Sequence, residues 1–384
     1  MNINDIKIPV PFQITLDDVG WIEGRTPYWD GFHPTRSGIP RRHALEDYKV
    51  INEIGKRVNM RLGAMFVIGD WDIKGRLSKV SNSTKQGKDW KGSPCIDIEE
   101  EEEIRDYINS AEYIDLAFHG LMHECWDDDG KRMGAEFLPP YDFKAGDKSK
   151  CAPAPEWYVR EHLDGFMEIY SDWGFKKELQ TFTCPGHCFD AWKDGSFTSI
   201  IKDYGVKYWQ EPYVDITRVD NTVMLNKEVG FLGFWEAYDM NPDKLMTYTE
   251  ETAGLICGHW PNLLRYDPAL NMENIDKWEA FFNRTAKQFG VILSQGIDFA
   301  HKQLLYRNHC TLSEADGKIK IDFAKADEIS MGLFDAPIYI SVKNGVAPFQ
   351  CEGGVMTEHS KFEGHTNYKI ERNGKNNIYL KSLI

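Results

Sequence analysis

The sequence contains no run of about eighteen consecutive apolar residues, the length that a membrane-spanning helix requires. It has no dense cluster of lysine and arginine either, and its formal net charge is −15 at pH 7. Because phosphate backbones and anionic lipid headgroups repel such a charge, we expect neither nucleic acid nor a membrane surface as a partner. Residues 1–20 also lack the basic segment and apolar run of a secretion signal, so the expected location is the cytoplasm.

Cysteine pairs of the C-x-x-C type are absent, although the chain contains eight cysteines. Cysteines scattered in this way favour reduced thiols over a disulfide framework. Aromatic residues are abundant, with 12 Trp, 17 Tyr and 21 Phe. We expect most of them in the core, while some rings could stack on the faces of sugars. A chain of 384 residues is longer than one compact domain usually needs, which indicates a main domain and an appendage.

Short apolar or β-branched runs alternate with amphipathic stretches up to about residue 295. This rhythm predicts repeated strand–helix units. The predicted strands are 12–16, 64–68, 114–118, 181–184, 206–209 and 254–257. The predicted helices are marked by apolar faces within 50–58, 159–173 and 278–285, and by the acidic run 99–103, which suits the first turn of a helix.

After about residue 310 the pattern changes to alternating runs separated by Asp-Gly and Asn-Gly pairs, at 316–317, 344–345 and 373–374. Such pairs are typical of β-hairpin turns. We therefore predict a main domain of residues 1–310 and a small antiparallel β module of residues 311–384. Four predicted strands leave the topology of the module open.

Three positions place metal-capable side chains directly after an apolar run. Asp17 and Asp18 follow the first strand, and two adjacent carboxylates there repel each other unless a cation or a shared proton relieves them. A solvated turn or a helix N-cap is the alternative. His119 and His123, at i and i+4, follow the strand 114–118 and share a face if they lie on one helical turn. His259 follows a third strand, although a single histidine in such a place is more often structural.

Together, one aspartate and two histidines could supply three ligands to zinc and leave coordination positions for water and substrate. The other aspartate and the third histidine would then remain for proton transfer, which the hydrolysis of an amide requires.

The segment T-L-D-D-V-G at 15–20 resembles the T-F-D-D-G motif of the polysaccharide deacetylase superfamily, and H-G-L-M-H at 119–123 resembles its H-S/T-x-x-H motif. The late family motif, an apolar strand that ends in histidine, is similar to 255–259. Its middle R-P-P-like loop corresponds to T-F-T-C-P-G-H at 181–187. The resemblance spans roughly residues 14 to 261, and its specificity comes from the order of the motifs.

This resemblance implies an α/β fold, a distorted (β/α) barrel of the polysaccharide deacetylase type, and removal of an N-acetyl group from a sugar or polysaccharide. Asp17 resembles the family's general base, Asp18 its metal-binding aspartate, and His259 its general acid. His119 and His123 would complete the ligands of one divalent metal ion, which the family implies to be Zn²⁺, with cobalt or nickel as alternatives. The residues expected on the substrate side are Trp21, Arg42, Cys184, Pro185, Gly186, His187 and Trp260.

The sequence departs from the family pattern at three places. Val19 lies between the aspartate pair and Gly20, and Gly120 replaces the usual hydroxyl residue. The middle motif has no arginine, which in the family orients the base, and His187 is either its substitute or an ordinary loop residue.

The long segment 21–43 is either an ordered surface loop or a rim that grips a sugar. The side chains that could form this grip are Trp21, Trp29, Arg36, Arg41 and Arg42.

The expected partner is a carbohydrate that bears an acetamido group, with a role in surface-polysaccharide biosynthesis as one expectation. Two alternatives remain open from the sequence. One is another metal-dependent amidase or glycoside hydrolase on the same scaffold, and the other is a carbohydrate-binding protein without turnover. The sugar and the oligomeric state cannot be derived from the sequence.

Overall fold

The computed structural model describes residues 2–23, 41–138, 153–186, 194–211, 218–230, 238–242, 254–330, 336–346, 349–374 and 377–383. The strands are β1 (Ile6–Lys7), β2 (Pro11–Val19), β3 (Leu62–Phe66), β4 (Ile114–Phe118), β5 (Glu124–Trp126), β6 (Arg132–Ala135), β7 (Thr181–Thr183), β8 (Tyr208–Glu211), β9 (Arg218–Asp220), β10 (Val223–Gly230), β11 (Leu255–His259), β12 (Ile292–Leu293), β13 (Thr311–Ala315), β14 (Lys318–Asp322), β15 (Ile338–Lys343), β16 (Phe349–Glu352), β17 (Gly354–Lys361), β18 (His365–Arg372) and β19 (Ile378–Ser382). The helices are α1 (Leu45–Val58), α2 (Ile98–Ser110), α3 (Glu156–Trp173), α4 (Ser196–Ile201), α5 (Ile275–Phe289), α6 (Ile297–His309) and α7 (Ala324–Ile329).

The main sheet is parallel along the order β2, β3, β4, β7, β8, β10 and β11. β11 also pairs in parallel with β2, and there His259 stands opposite Asp17. The pairing therefore returns to the strand from which it started. The contact between β4 and β7 is the thinnest of these pairings, with Phe118 and Phe182 as its one pair of residues.

The two faces of these strands differ in chemistry. The residues of one face belong to the large apolar cluster, to which α1, α2, α3 and α5 also contribute. On β2 these residues are Phe12, Ile14 and Leu16, whereas the alternate residues Gln13, Thr15 and Asp17 are buried and polar. A strand presents alternate residues to opposite faces, so the helices cover the apolar face and the polar side chains share the other.

The predicted helices form as the capping signals require. Asp97 accepts hydrogen bonds from the backbone N–H groups of Glu99 and Glu100, which places the acidic run at the positive end of α2. α3 ends at Gly174 and α5 at Gly290, and both glycines adopt a left-handed conformation. Each strand predicted up to residue 295 overlaps an observed one, whereas several observed elements, among them β5, β6, β10 and α6, were not predicted.

The C-terminal region contains two antiparallel sheets of four strands, in the orders β1-β15-β18-β17 and β13-β14-β19-β16. The N-terminal strand β1 belongs to the first of them, with Ile6 opposite Val342. The apolar cluster of this region also includes Tyr208 and Met224 of the parallel strands and Leu305 of α6. The division at residue 310 therefore remains a proposal, because residues from before it contribute to the same sheet and cluster. No helix within the described ranges is long and apolar enough to cross a membrane.

Candidate metal centre

A β-bulge brings two consecutive aspartates to the same place. Leu16 pairs with Ala64 and Val19 with Phe66, so Asp17 and Asp18 together lie opposite a single residue of β3. Asp18 adopts a left-handed conformation with φ 63°, which short polar side chains tolerate better than most. In a regular strand, neighbouring side chains would point to opposite faces. The extra residue re-aims the second carboxylate, as bulges commonly do beside functional sites.

Asp18, His119 and His123 converge on one point. Each offers a ligand atom, and these atoms all lie within 4.8 Å of one another. Asp18 Oδ1 is 3.6 Å from His119 Nε2 and 3.8 Å from His123 Nε2, and all three residues are buried. Atoms that each bind one ion at about 2 Å are separated by roughly 3–4 Å, so the spacing suits a shared metal ion better than direct hydrogen bonds. These three side chains could therefore bind a metal ion.

The orientation of His119 is fixed from its far side. Its Nδ1 lies 2.9 Å from the carbonyl oxygen of Thr183, which can only accept a hydrogen bond. Nδ1 therefore donates, and the lone pair of a neutral ring remains on Nε2, the atom that faces Asp18. A histidine ligand of a metal is commonly held in this way by a carbonyl group behind it.

The segment that carries both histidines is not the helical turn that the sequence predicts. Gly120 has φ 85° and His123 has φ 64°, so the chain bends twice through left-handed conformations between His119 and His123. The rings still meet, with their centroids 5.1 Å apart. The prediction of a helical turn was wrong because i, i+4 spacing constrains the rings only if the intervening backbone is helical.

Asp17 lies beside the three candidate ligands. Its Oδ2 is 3.9 Å from His119 Nε2 and accepts a hydrogen bond from the thiol of Cys257 at 3.1 Å. Within the described part of the chain, the buried Oδ1 of Asp17 has no hydrogen-bond partner. No sequence pattern selects Cys257, whose thiol contacts Asp17.

His259 approaches the site from β11, with its Nε2 3.7 Å from Asp18 Oδ2 and its side chain 24% exposed. Burial lowers the pKa of His259 to about 4, Asp17 counteracts this shift, and His119 adds a further lowering. The ring is therefore neutral at neutral pH. A role as general acid requires that it first take up a proton.

Among the four loop residues at 184–187 that were predicted to contact substrate, the described ones differ in their exposure. Cys184 is fully buried and disulfide-bonded, so the prediction of reduced thiols is wrong at this position. A buried disulfide sulfur is not available to a substrate. Pro185 is also buried, Gly186 is partly exposed, and His187 lies outside the described residues. Cys95, Cys125, Cys257, Cys310 and Cys351 are present as thiols and not as disulfides.

The other side chains predicted to bind substrate are packed in the core or bonded to other residues of the protein. Trp21 and Trp260 are each 1% exposed and belong to the apolar cluster, so neither ring can stack on a sugar. Arg42 is bonded to Glu100 at 2.7 Å, to Glu101 and to the carbonyl oxygen of Cys95, which ties it to the start of α2.

Arg41, which the sequence placed on a possible sugar-binding rim, forms a two-point ion pair with Asp47 at 2.8 and 2.7 Å. Trp29 and Arg36 fall outside the described residues.

No protein-family model matches the chain, and no curated protein matches it. Among solved structures it is similar to a protein of Parabacteroides distasonis, provisionally assigned as a glycoside hydrolase/deacetylase, with 10% identity, 88% of this chain and 82% of that chain covered, and a TM-score of 0.41. It is also similar to endo-glycoceramidase II from Rhodococcus sp., with 9% identity, 98% and 100% coverage, and a TM-score of 0.30. These likenesses are too weak to carry an argument.

Gly120 should not tolerate a side chain. A Cβ atom there would collide with Glu136 Oε2 and lie 2.8 Å from Pro185 Cγ, at φ 85°. We expect Gly120→Ala to lower the free energy of unfolding by about 2–4 kcal/mol, the combined cost of overpacking and backbone strain. Urea denaturation measures this loss.

Gly205 is the matched control, because it has φ 87° and no atom within 4 Å of the added Cβ. Gly205→Ala should cost only about 1 kcal/mol. Equal losses in the two variants would contradict the close approach at Gly120.

Proposed function

We propose that the protein is a metal-dependent hydrolase that removes an N-acetyl group from a sugar or polysaccharide. The observation that carries the proposal is the convergence of Asp18, His119 and His123 beside a second buried carboxylate, Asp17. As part of the same proposal, the circular array of parallel strands is a distorted (β/α) barrel of the polysaccharide deacetylase type. The carboxyl ends of its strands carry the site, as in other barrels of this class.

One oxygen and two imidazole nitrogens form a donor set that suits Zn²⁺ and leaves positions for water and substrate. The orphaned Oδ1 of Asp17 also fits such a site, because a buried carboxylate oxygen without a partner is costly unless a cation or a water lies nearby. A divalent ion held by Asp18, His119 and His123 would supply Lewis acidity toward the acyl oxygen and make water a stronger nucleophile.

Asp17 is the proposed base. Its Oδ2 is fixed by the thiol of Cys257, which leaves Oδ1 to take a proton from the attacking water. The oxygen of this water bonds to the acetyl carbon, the C–N bond breaks, and the products are acetate and a free amine. The proton that Asp17 takes from water is the one that the departing nitrogen needs, and His259 Nε2 would relay it, since the ring is neutral at the start.

The substrate class rests on the motif resemblance, because Trp21, Trp260 and Cys184 are buried and Arg42 is bonded within the protein. We propose a carbohydrate with an acetamido group as the substrate and the cytoplasm as the location. Neither proposal depends on the weak structural likenesses.

The direct test combines metal analysis with acetate release from a panel of N-acetylated sugars, polymers and nucleotide sugars. We expect acetate and free amine in equal amounts, loss of both on chelation, and recovery with Zn²⁺ or Co²⁺. New reducing ends without acetate would instead indicate a glycoside hydrolase. Saturable sugar binding without any product would indicate a binding protein.

A further inference from the structure

We propose that Glu136 is a positioning residue that holds the backbone around His123 in the conformation that metal binding needs. The inference rests on the metal centre of the proposed function and adds a residue that no motif contains. Glu136 is fully buried and is not one of the three side chains that converge as candidate ligands.

The carboxylate of Glu136 accepts three consecutive backbone N–H groups. Leu121 donates to Oε1 at 2.9 Å, and Met122 and His123 donate to Oε2 at 3.1 and 2.8 Å. The backbone N–H of Glu136 donates in return to the carbonyl oxygen of His123 at 3.1 Å. Consecutive N–H groups that point to one side form an anion-binding concavity, and here the anion belongs to the chain.

This grip opposes an intrinsic cost. His123 has φ 64°, a left-handed conformation that costs an L-residue free energy, and such strain persists only where the surroundings enforce it. The bend before it at Gly120 leaves room for Glu136 Oε2 because Gly120 has no Cβ. The carboxylate therefore compensates for the bend that turns His123 toward Asp18.

A hairpin places Glu136 opposite this bend. β5 and β6 pair with Glu124 opposite Ala135, so the residue before β5 and the residue after β6 are brought together. These residues are His123 and Glu136. The hairpin thus begins next to a candidate ligand, His123, and ends next to the carboxylate that holds its backbone, Glu136.

His162 fixes the carboxylate from behind. Its Nδ1 lies 2.8 Å from Glu136 Oε1, and its Nε2 lies 2.8 Å from the carbonyl oxygen of Ser81. Because a carbonyl oxygen can only accept, Nε2 donates to Ser81, and the contact of Nδ1 joins the same ring to Glu136. His162 is fully buried on α3 and links this helix to the bend.

Groups behind the ligands commonly change metal affinity by 10- to 100-fold, roughly, when they are removed. We expect Glu136→Gln, which keeps the shape but replaces one acceptor oxygen by a donor, to lower Co²⁺ affinity by about that factor. The visible spectrum of bound Co²⁺ should also change, because a displaced His123 alters the coordination geometry. His162→Gln should produce the same spectral change with a smaller loss of affinity.

Asp72→Asn is the matched control. Asp72 is a buried carboxylate that accepts from the backbone N–H groups of Lys74 and Leu77 and from the indole of Trp90. This variant should lose thermal stability yet keep the wild-type Co²⁺ spectrum and an affinity within about twofold, so it separates general stability from positioning.

If the wild type binds Co²⁺ and folded Glu136→Gln shows the same spectrum and affinity, the positioning role is wrong while the metal centre stands. If Glu136→Gln does not fold, the same comparison with His162→Gln decides. A wild-type protein that binds no Co²⁺ overturns the metal centre, and the positioning role with it.

Discussion

Asp17→Asn is expected to keep its bound metal ion while acetate release falls by about 100- to 10,000-fold, the usual contribution of a general base. The side chains of Asp and Asn have nearly the same shape, and an amide oxygen can still accept the hydrogen bond from the Cys257 thiol. The amide cannot take a proton from water. Metal content and kcat, measured on the same preparation, test both halves of the expectation.

Asp115→Asn provides the control for this variant. Asp115 lies near the start of β4, four residues before His119. Its Oδ1 forms an ion pair with Arg61 Nε at 3.4 Å, and Asp115 is not one of the candidate ligands. We expect it to leave kcat close to the wild-type value. Retained turnover in Asp17→Asn would remove Asp17 from the role of base, and loss of metal would make it a ligand.

His119→Ala and Asp18→Asn should each lower the affinity for Zn²⁺ by more than about 100-fold, since loss of a ligand costs more than loss of a group behind it. Turnover should disappear with the metal. Asparagine is chosen at position 18 because it tolerates the left-handed backbone there. Competition with a chromophoric chelator measures the affinity, and added Zn²⁺ should raise the melting temperature of the wild type only.

His301→Ala is the control for a buried histidine. His301 lies on α6, stacks on Tyr208 with centroids 4.3 Å apart, and contacts Asn226, none of which is a candidate ligand. We expect unchanged Zn²⁺ affinity in this variant. Stoichiometric tight binding of Zn²⁺ by both His119→Ala and Asp18→Asn would disprove the proposed ligand set.

The strand ends that carry the candidate site could be predicted because short patterns determine them. An apolar run followed by Asp17 and Asp18, or by His119, already implies a strand that ends at polar residues. The β-bulge could not be predicted, because alternation alone would send two neighbouring aspartates to opposite faces. The sequence showed the pair, whereas the register between Leu16 and Val19 shows how both reach one place.

Glu136 was missed because its partners are backbone groups, which leave no side-chain pattern. A signal for the hairpin was nevertheless present in Asp129-Gly130, between the short segments that became β5 and β6. The prediction that Trp21 and Arg42 contact a sugar was wrong for a different reason. A tryptophan or an arginine beside a strand end is equally suited to packing, and the structure uses both in that way.

His119 has a second role at the boundary between β4 and β7. These strands share only the pair Phe118 and Phe182, and the hydrogen bond from His119 Nδ1 to the carbonyl oxygen of Thr183 crosses the same boundary. The imidazole of His119 is therefore a candidate metal ligand and also connects two strands that share few backbone contacts. Amide hydrogens of β7 should therefore exchange with solvent more slowly once a bound metal ion immobilises that ring. Hydrogen exchange in β7 would then report whether the metal site is occupied, although β7 supplies none of the candidate ligands.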